Sequence, residues 1–160
     1  MKVTVQTSTV DETRSVAAAL APLLRPRDLI VLAGEMGSGK TAFTQGLAAG
    51  LGVKSAVTSP TFTLVHTYEG RITLHHVDVY RLERLAEVID LGLTELLDGE
   101  GAVIIEWGDV IEEVLPPEGL GVAIEVAPET HERRMTFAPR GGSWLTRARA
   151  LEAALETWRC

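Results

Sequence analysis

The 160-residue chain contains no asparagine, only two glutamines (Gln6 and Gln45), and three lysines (Lys2, Lys40, Lys54) beside twelve arginines. Depletion of heat-labile amides is one mark of proteins from hot environments, and a biased base composition produces the same pattern. The single cysteine, Cys160, excludes an internal disulfide and every multi-cysteine metal site. No apolar run approaches the ~20 residues needed to span a bilayer. The opening MKVTVQTSTV has no charged-then-apolar stretch of signal-peptide type, so the expected location is the cytoplasm. Positive charge is also in short supply: 15 basic against 22 acidic side chains give a net charge of -7. That balance argues against sequence-independent binding to nucleic acid or anionic lipid, where clustered Lys and Arg carry the affinity.

What is present is apolar surface: 46% of residues, with a mean hydropathy of +0.14, enough to bury a real core. The length suits a single domain spanning 1–160, with 141–160 as a C-terminal helical tail. Val3 and Val5 alternate with polar neighbours, as in a short strand. Thr9 and Glu12 have capping-box spacing ahead of an apolar run, which predicts a helix starting near Thr9. Leu29-Ile30-Val31-Leu32-Ala33 and Ala102-Val103-Ile104-Ile105 are continuous apolar runs, the pattern of strands covered on both faces in a parallel sheet. Segments 62–68 and 71–77 flank Glu69-Gly70 and predict a hairpin with a two-residue turn. Residues 83–98 read as helix, and Asp109 with Glu112 suggests a capped short helix before Pro116-Pro117. Segments 121–127 and 132–138 read as an antiparallel pair, and 143–158 as one amphipathic helix with an Ala- and Arg-rich face. Together these elements predict a mixed α/β layer fold, partly parallel with antiparallel additions.

One segment carries chemistry outright. Gly34-Glu35-Met36-Gly37-Ser38-Gly39-Lys40-Thr41 fits G-x-x-x-x-G-K-[ST], with an apolar strand before it and a helix after it. Glycines let consecutive N–H groups turn inward around a phosphate, and a helix beginning at Lys40 adds the partial positive charge of its N-terminus. The Lys40 ammonium then serves the β and γ phosphates and the Thr41 hydroxyl a Mg²⁺ ion. Residues 34–42, Ala42 included, are therefore the expected nucleotide-binding set. ATP is favoured over GTP, because an [NT]-K-x-D guanine element is missing: no asparagine exists and no lysine has an aspartate two residues on.

Such a site also needs a carboxylate at the end of a neighbouring strand. Glu106 closes one buried run and Asp78 follows the strand at 72–77; both remain candidates, Glu106 with the better strand before it. Ser59-Pro60-Thr61 reads either as a plain turn or as a switch segment whose hydroxyls sense the γ-phosphate. His75 and His76, as strand neighbours, point to opposite faces and make a poor zinc site. Trp107 is by type more often core than ligand platform, and spacing does not decide whether Arg133-Arg134 face solvent or phosphate.

Four stretches in order are more specific: 34–41, then Ser59-Pro60-Thr61-Phe62-Thr63-Leu64, then His76-Val77-Asp78-Val79-Tyr80-Arg81-Leu82, then Glu106-Trp107. This pattern, with Leu91-Gly92-Leu93 between the last two, resembles the TsaE family (older name YjeE). These are small P-loop ATPases needed for threonylcarbamoyladenosine synthesis on tRNA. The likeness runs from about Thr9 to Leu115. Glu35, Met36 and Ser38 depart conservatively from the family's usual loop, G-D-L-G-A-G-K-T. The resemblance implies a P-loop, three-layer α/β fold in which Lys40 and Thr41 bind phosphates and Mg²⁺ and Glu106 lies at the metal. It places Asp78 near the γ-phosphate as base or water-positioner, and Ser59 and Thr61 in a switch-like loop. It further implies that the chain does not transfer the threonylcarbamoyl group. Instead its ATP cycle acts on the transferase subunit and that subunit's inactive relative. The acidic net charge suits docking on protein, with strong tRNA binding left to the partners. A small-molecule kinase on the same loop is the alternative, and a nucleotide-binding scaffold without turnover a third.

Overall fold

The strand Leu29–Ala33 is apolar throughout because neither of its faces meets water. In the computed structural model, which describes residues 1–60, 65–79, 92–107 and 112–160, it lies at the centre of a seven-stranded sheet. The strands are β1 (Val3–Thr7), β2 (Leu29–Ala33), β3 (Val65–Tyr68), β4 (Leu74–Asp78), β5 (Ala102–Glu106), β6 (Gly119–Val126) and β7 (Arg133–Arg140). Their order across the sheet is β1-β7-β6-β2-β5-β4-β3. β2 runs parallel to β5 and β6, and β4 parallel to β5, while β1, β3 and β7 join antiparallel. The partly parallel sheet with antiparallel additions is thus the one the sequence implies. β5 is buried at every residue, which is why its sequence shows no alternation.

The helices are α1 (Val10–Leu20), α2 (Lys40–Gly50), α3 (Leu93–Asp98), α4 (Gly141–Thr146) and α5 (Ala148–Leu155). One face of the sheet, with Ile30, Leu32 and Ile104, packs beneath α1, α2 and α5 through Val16, Leu20, Phe43, Leu47 and Leu151. The opposite face gathers Val31, Val77, Val103 and Ile105 with Leu93 of α3. α1 begins where its capping pair places it: Thr9 Oγ1 accepts from Glu12 N at 3.1 Å, and the Glu12 carboxylate accepts from Ser8 N at 2.7 Å. α1 and α2 approach so closely that a Cβ on Gly46 would sit 2.1 Å from the Arg14 carbonyl oxygen, and one on Gly50 2.6 Å from Ala21 Cβ. No described helix is long and apolar enough to cross a membrane.

Two local expectations need correction. β3 and β4 do pair, but Tyr68 faces Leu74, so the connection is 69–73 and not a two-residue turn at Glu69-Gly70. The segment instead folds onto the helix ends. Arg71 N donates to Leu51 O at 2.7 Å, and the Arg71 guanidinium donates to Ala21 O and Leu24 O at 2.6 and 3.0 Å. The tail is likewise not one helix over 143–158. It breaks at Arg147 between α4 and α5 and ends in a 3₁₀ turn at Glu156–Trp158. Arg147 turns inward, on the same side as Trp144 and Leu151. Its guanidinium pairs with both Asp28 oxygens at 2.6 and 2.8 Å and donates to Leu23 O at 2.7 Å. The expected helix over 83–91, the cap at Asp109 and the strand residues 62–64 lie outside the described residues.

Arg147 is only 4% exposed and Asp28 7%, so losing one partner strands the other charge in the interior. Arg147→Met is expected to destabilise the protein by about 3 kcal/mol in urea unfolding. A loss below ~1 kcal/mol would show that the pair is no more than a surface contact.

Candidate functional site

Parallel strands of matched register bring their C-terminal ends to one edge of the sheet. Asp78, the last residue of β4, lies opposite Glu106, the last of β5, and Leu32 of β2 lies opposite Glu106 on the other side. Paired residues share a face, so Asp78 and Glu106 both point to the side covered by α2. The loop 34–39 leaves β2 at the same edge and delivers the first residue of α2, Lys40. Open α/β sheets place ligands at this edge.

The loop depends on its glycines. Gly37 and Gly39 have φ of +80° and +112°, the left-handed region that other residues avoid. A Cβ on Gly34 would meet Ser38 Oγ at 2.6 Å and the Ile124 carbonyl oxygen at 2.7 Å. Arg133 of β7 braces the loop from outside, donating from Nε to Ser38 O at 2.9 Å and from Nη2 to Gly37 O at 3.3 Å. The Ser38 hydroxyl is buried with no hydrogen-bond partner among the described residues.

The side chains of the site converge. Lys40 Nζ donates to Gly34 O at 2.7 Å and Glu35 O at 3.0 Å, and lies 3.8 Å from the centre of the Trp107 ring. Trp107 follows β5 with φ of 63°, a conformation that costs a bulky residue roughly 1–3 kcal/mol and that clusters at functional sites. Thr41 Oγ1 donates to Glu106 Oε1 at 3.3 Å. His76, fully buried on β4, holds the other Glu106 oxygen through Nε2. Asp78 Oδ2 accepts from Ser59 Oγ at 3.2 Å. The segment before Ser59 is anchored in turn, with Gln45 Nε2 donating to Val57 O at 3.0 Å and Thr58 N to the Tyr68 hydroxyl at 3.3 Å.

A family model described as "Threonylcarbamoyl adenosine biosynthesis protein TsaE" matches residues 7–135. The chain belongs to the TsaE family. Among its relatives, a Bacillus subtilis protein called "tRNA threonylcarbamoyladenosine biosynthesis protein TsaE" is 43% identical over 135 residues, 84% of each chain. Proteins of the same description from Treponema pallidum (42% identical, 72% of this chain and 85% of that one) and Streptomyces coelicolor (41%, 83% and 94%) are also similar. The crystal structure of YdiB from Bacillus subtilis superimposes with a TM-score of 0.83 at 35% identity, covering 96% of this chain and 95% of that one. The matched region contains every TsaE-like motif residue on which the resemblance rested.

Within this TsaE fold, Lys40, Thr41, Asp78, Glu106 and Ser59 are brought together, while Thr61 lies outside the described residues. The chemistry of this donor set is a hard one: a hydroxyl and carboxylates near a helix N-terminus and a lysine. Such oxygens suit Mg²⁺, and the helix end with the loop suits a polyphosphate. The buried, unpartnered hydroxyl of Ser38 fits that reading. Three contributors escaped the sequence. His76 looked like half of an adjacent histidine pair, and its partner Glu106 is 30 residues away. Trp107 packs against the core, as its type suggested, but its ring also faces Lys40. Arg133 turns to the loop carbonyls, a partner the spacing did not suggest, while Arg134 is exposed. His75 sits on the other face, bonded to Thr67 at 2.9 Å. Burial holds its imidazole below the usual 6.5, against an opposing pull from the Glu69 carboxylate, so it is neutral at pH 7 and takes no part.

Arg133→Gln removes a charged brace worth about 1 kcal/mol. Amide exchange of residues 37–40 is then expected to quicken roughly fivefold while β2 and β5 stay protected. Unchanged exchange in the loop would show that the contacts at Ser38 and Gly37 do not hold it.

Proposed function

We propose that this chain is the Mg²⁺-dependent ATPase of tRNA threonylcarbamoyladenosine biosynthesis, acting through its ATP cycle on the transferase complex. The observation that carries the reading is the meeting of Lys40, Thr41, Asp78 and Glu106 at the end of parallel strands, under the first turn of α2. Membership of a family described by threonylcarbamoyl adenosine biosynthesis supplies the process. Nothing in the described site or among the relatives favours a small-molecule kinase.

Bound Mg²⁺·ATP supplies the transferable γ-phosphoryl group and a divalent charge that offsets its oxygens. The chain's residues then divide the work. The N–H groups of loop 34–39 and of the first turn of α2, Ala42 included, bind phosphate oxygens. Lys40 exchanges the carbonyls of Gly34 and Glu35 for the phosphates, trading two neutral acceptors for charged ones, which are about twice as strong. Thr41 and Glu106 hold the metal. Glu106 suits a fixed ligand because both its oxygens are already oriented, one toward Thr41 and one by His76. Asp78, held by Ser59, is the carboxylate that orients the attacking water and accepts its proton. Ser59 thereby couples the state of the site to the segment 57–59, and Thr61 extends the same segment. The net charge of -7 supports docking on the transferase subunit and its inactive relative, with tRNA contact left mainly to them.

The test is retrieval of partners from native extract by the tagged chain, with and without ATP, in the natural protein and in Lys40→Ala. The transferase pair is expected only with ATP and only in the natural protein. The same variant is expected to lose phosphate release by two or more orders of magnitude. Partner recovery that ignores both ATP and Lys40, or hydrolysis unchanged in the variant, would overturn the reading.

A further inference from the structure

His76 is completely buried, yet it is not an apolar core residue. It stands two residues before Asp78 on β4, on the same face of the sheet, and Glu106 stands opposite Asp78 on β5. Its Nε2 therefore reaches Glu106 Oε2 from beneath, while Thr41 reaches Oε1 from α2 above. A carboxylate only accepts, so Nε2 carries the proton and donates. The other ring nitrogen, Nδ1, is enclosed with no hydrogen-bond partner among the described residues, so the contact to Glu106 is the polar tie the ring makes. Glu106 is only 3% exposed, and water is a poor substitute for that donor. Removing it leaves a buried carboxylate oxygen unpaired and its side chain free to turn away from Thr41.

We infer that His76 is a positioning residue that holds Glu106 in its metal-binding orientation. This rests on the Mg²⁺·ATP reading above. Donors behind a ligating group typically set metal affinity by about 10–100-fold, although they never touch the ion. A packing role alone would make no distinction between nucleotide with metal and nucleotide without it.

The difference is measurable without turnover. Affinity for methylanthraniloyl-labelled ATP is measured on the full chain in EDTA and again across a Mg²⁺ titration. By linkage, the ratio of the two Kd values reports how strongly metal and nucleotide assist each other on the protein. His76→Leu keeps bulk and removes the donor. Its Kd in EDTA is expected to stay within about twofold of the natural protein, while the Mg²⁺ needed for half of the effect rises by about 10–100-fold. His76→Gln sets an amide nitrogen near the Nε2 position and is expected to restore most of the Mg²⁺ response. His76→Asn is too short to reach Glu106 and is expected to behave like His76→Leu. Should His76→Leu not fold, the contrast between Gln and Asn decides. A natural Mg²⁺ response in the Asn variant overturns the inference. So does an equal loss in Gln and Asn, or a fall in affinity that is the same with and without metal. A natural protein whose nucleotide affinity ignores Mg²⁺ would overturn the ATPase reading itself, a different failure.

Discussion

Asp78 and Glu106 meet only because β4 and β5 are parallel and end level with each other. A slip of one residue in that register would turn one carboxylate to the opposite face, away from α2. The register is held by burial on both sides: Ile104 and Leu74 pack toward α1 and α2, while Val77, Val103 and Ile105 pack the other way. Because both faces are committed, a slip would bury Asp78 or Glu106 among apolar side chains and expose their neighbours. The same strands that make the core therefore fix the spacing of the two carboxylates.

The site is closed by interactions of another kind. The loop 34–39 is too rich in glycine to hold itself, and Arg133 from β7 secures it through two carbonyl contacts. β7 is joined antiparallel to β1 and β6, on the far side of β2 from the carboxylates. The antiparallel half of the sheet thus steadies the glycine-rich loop, while the parallel half presents the carboxylates. Arg147 does comparable work at the opposite end of the chain, joining the tail to Asp28 just before β2.

The strands and the loop were legible because their signals are local. β2 and β5 read as apolar runs, residues 34–41 as glycines at fixed spacing before a lysine, and α1 as a capping pair. The carboxylates were legible as candidates, since a strand's end shows in sequence although its neighbour does not. What escaped depends on contacts between distant residues. His76 with Glu106, Arg133 with Ser38, and Arg147 with Asp28 join residues 30, 95 and 119 apart. No periodicity encodes these. Arg147 lies three residues after Trp144 and four before Leu151, on the buried face of the tail, and the acid it meets there, Asp28, is too distant in sequence to be read from that spacing. The turn at 69–73 failed for a related reason: Gly70 is there to approach Leu51, with a Cβ that would lie 2.6 Å from its carbonyl oxygen, and not to make a tight hairpin.

The acidic charge argues against sequence-independent nucleic-acid binding and the absence of asparagine favours ATP over GTP, but neither locates a site. The central claim is that Lys40, Thr41 and Glu106 are preorganised for a metal-bound nucleotide. A crystal structure with Mg²⁺ and a non-hydrolysable ATP analogue tests it most directly. Expected is Mg²⁺ on Thr41 Oγ1, with Glu106 at its shell, His76 still on Glu106, and Lys40 Nζ moved from the Gly34 and Glu35 carbonyls to phosphate oxygens. A nucleotide bound with Lys40 still on those carbonyls, or a metal remote from Thr41 and Glu106, would contradict it.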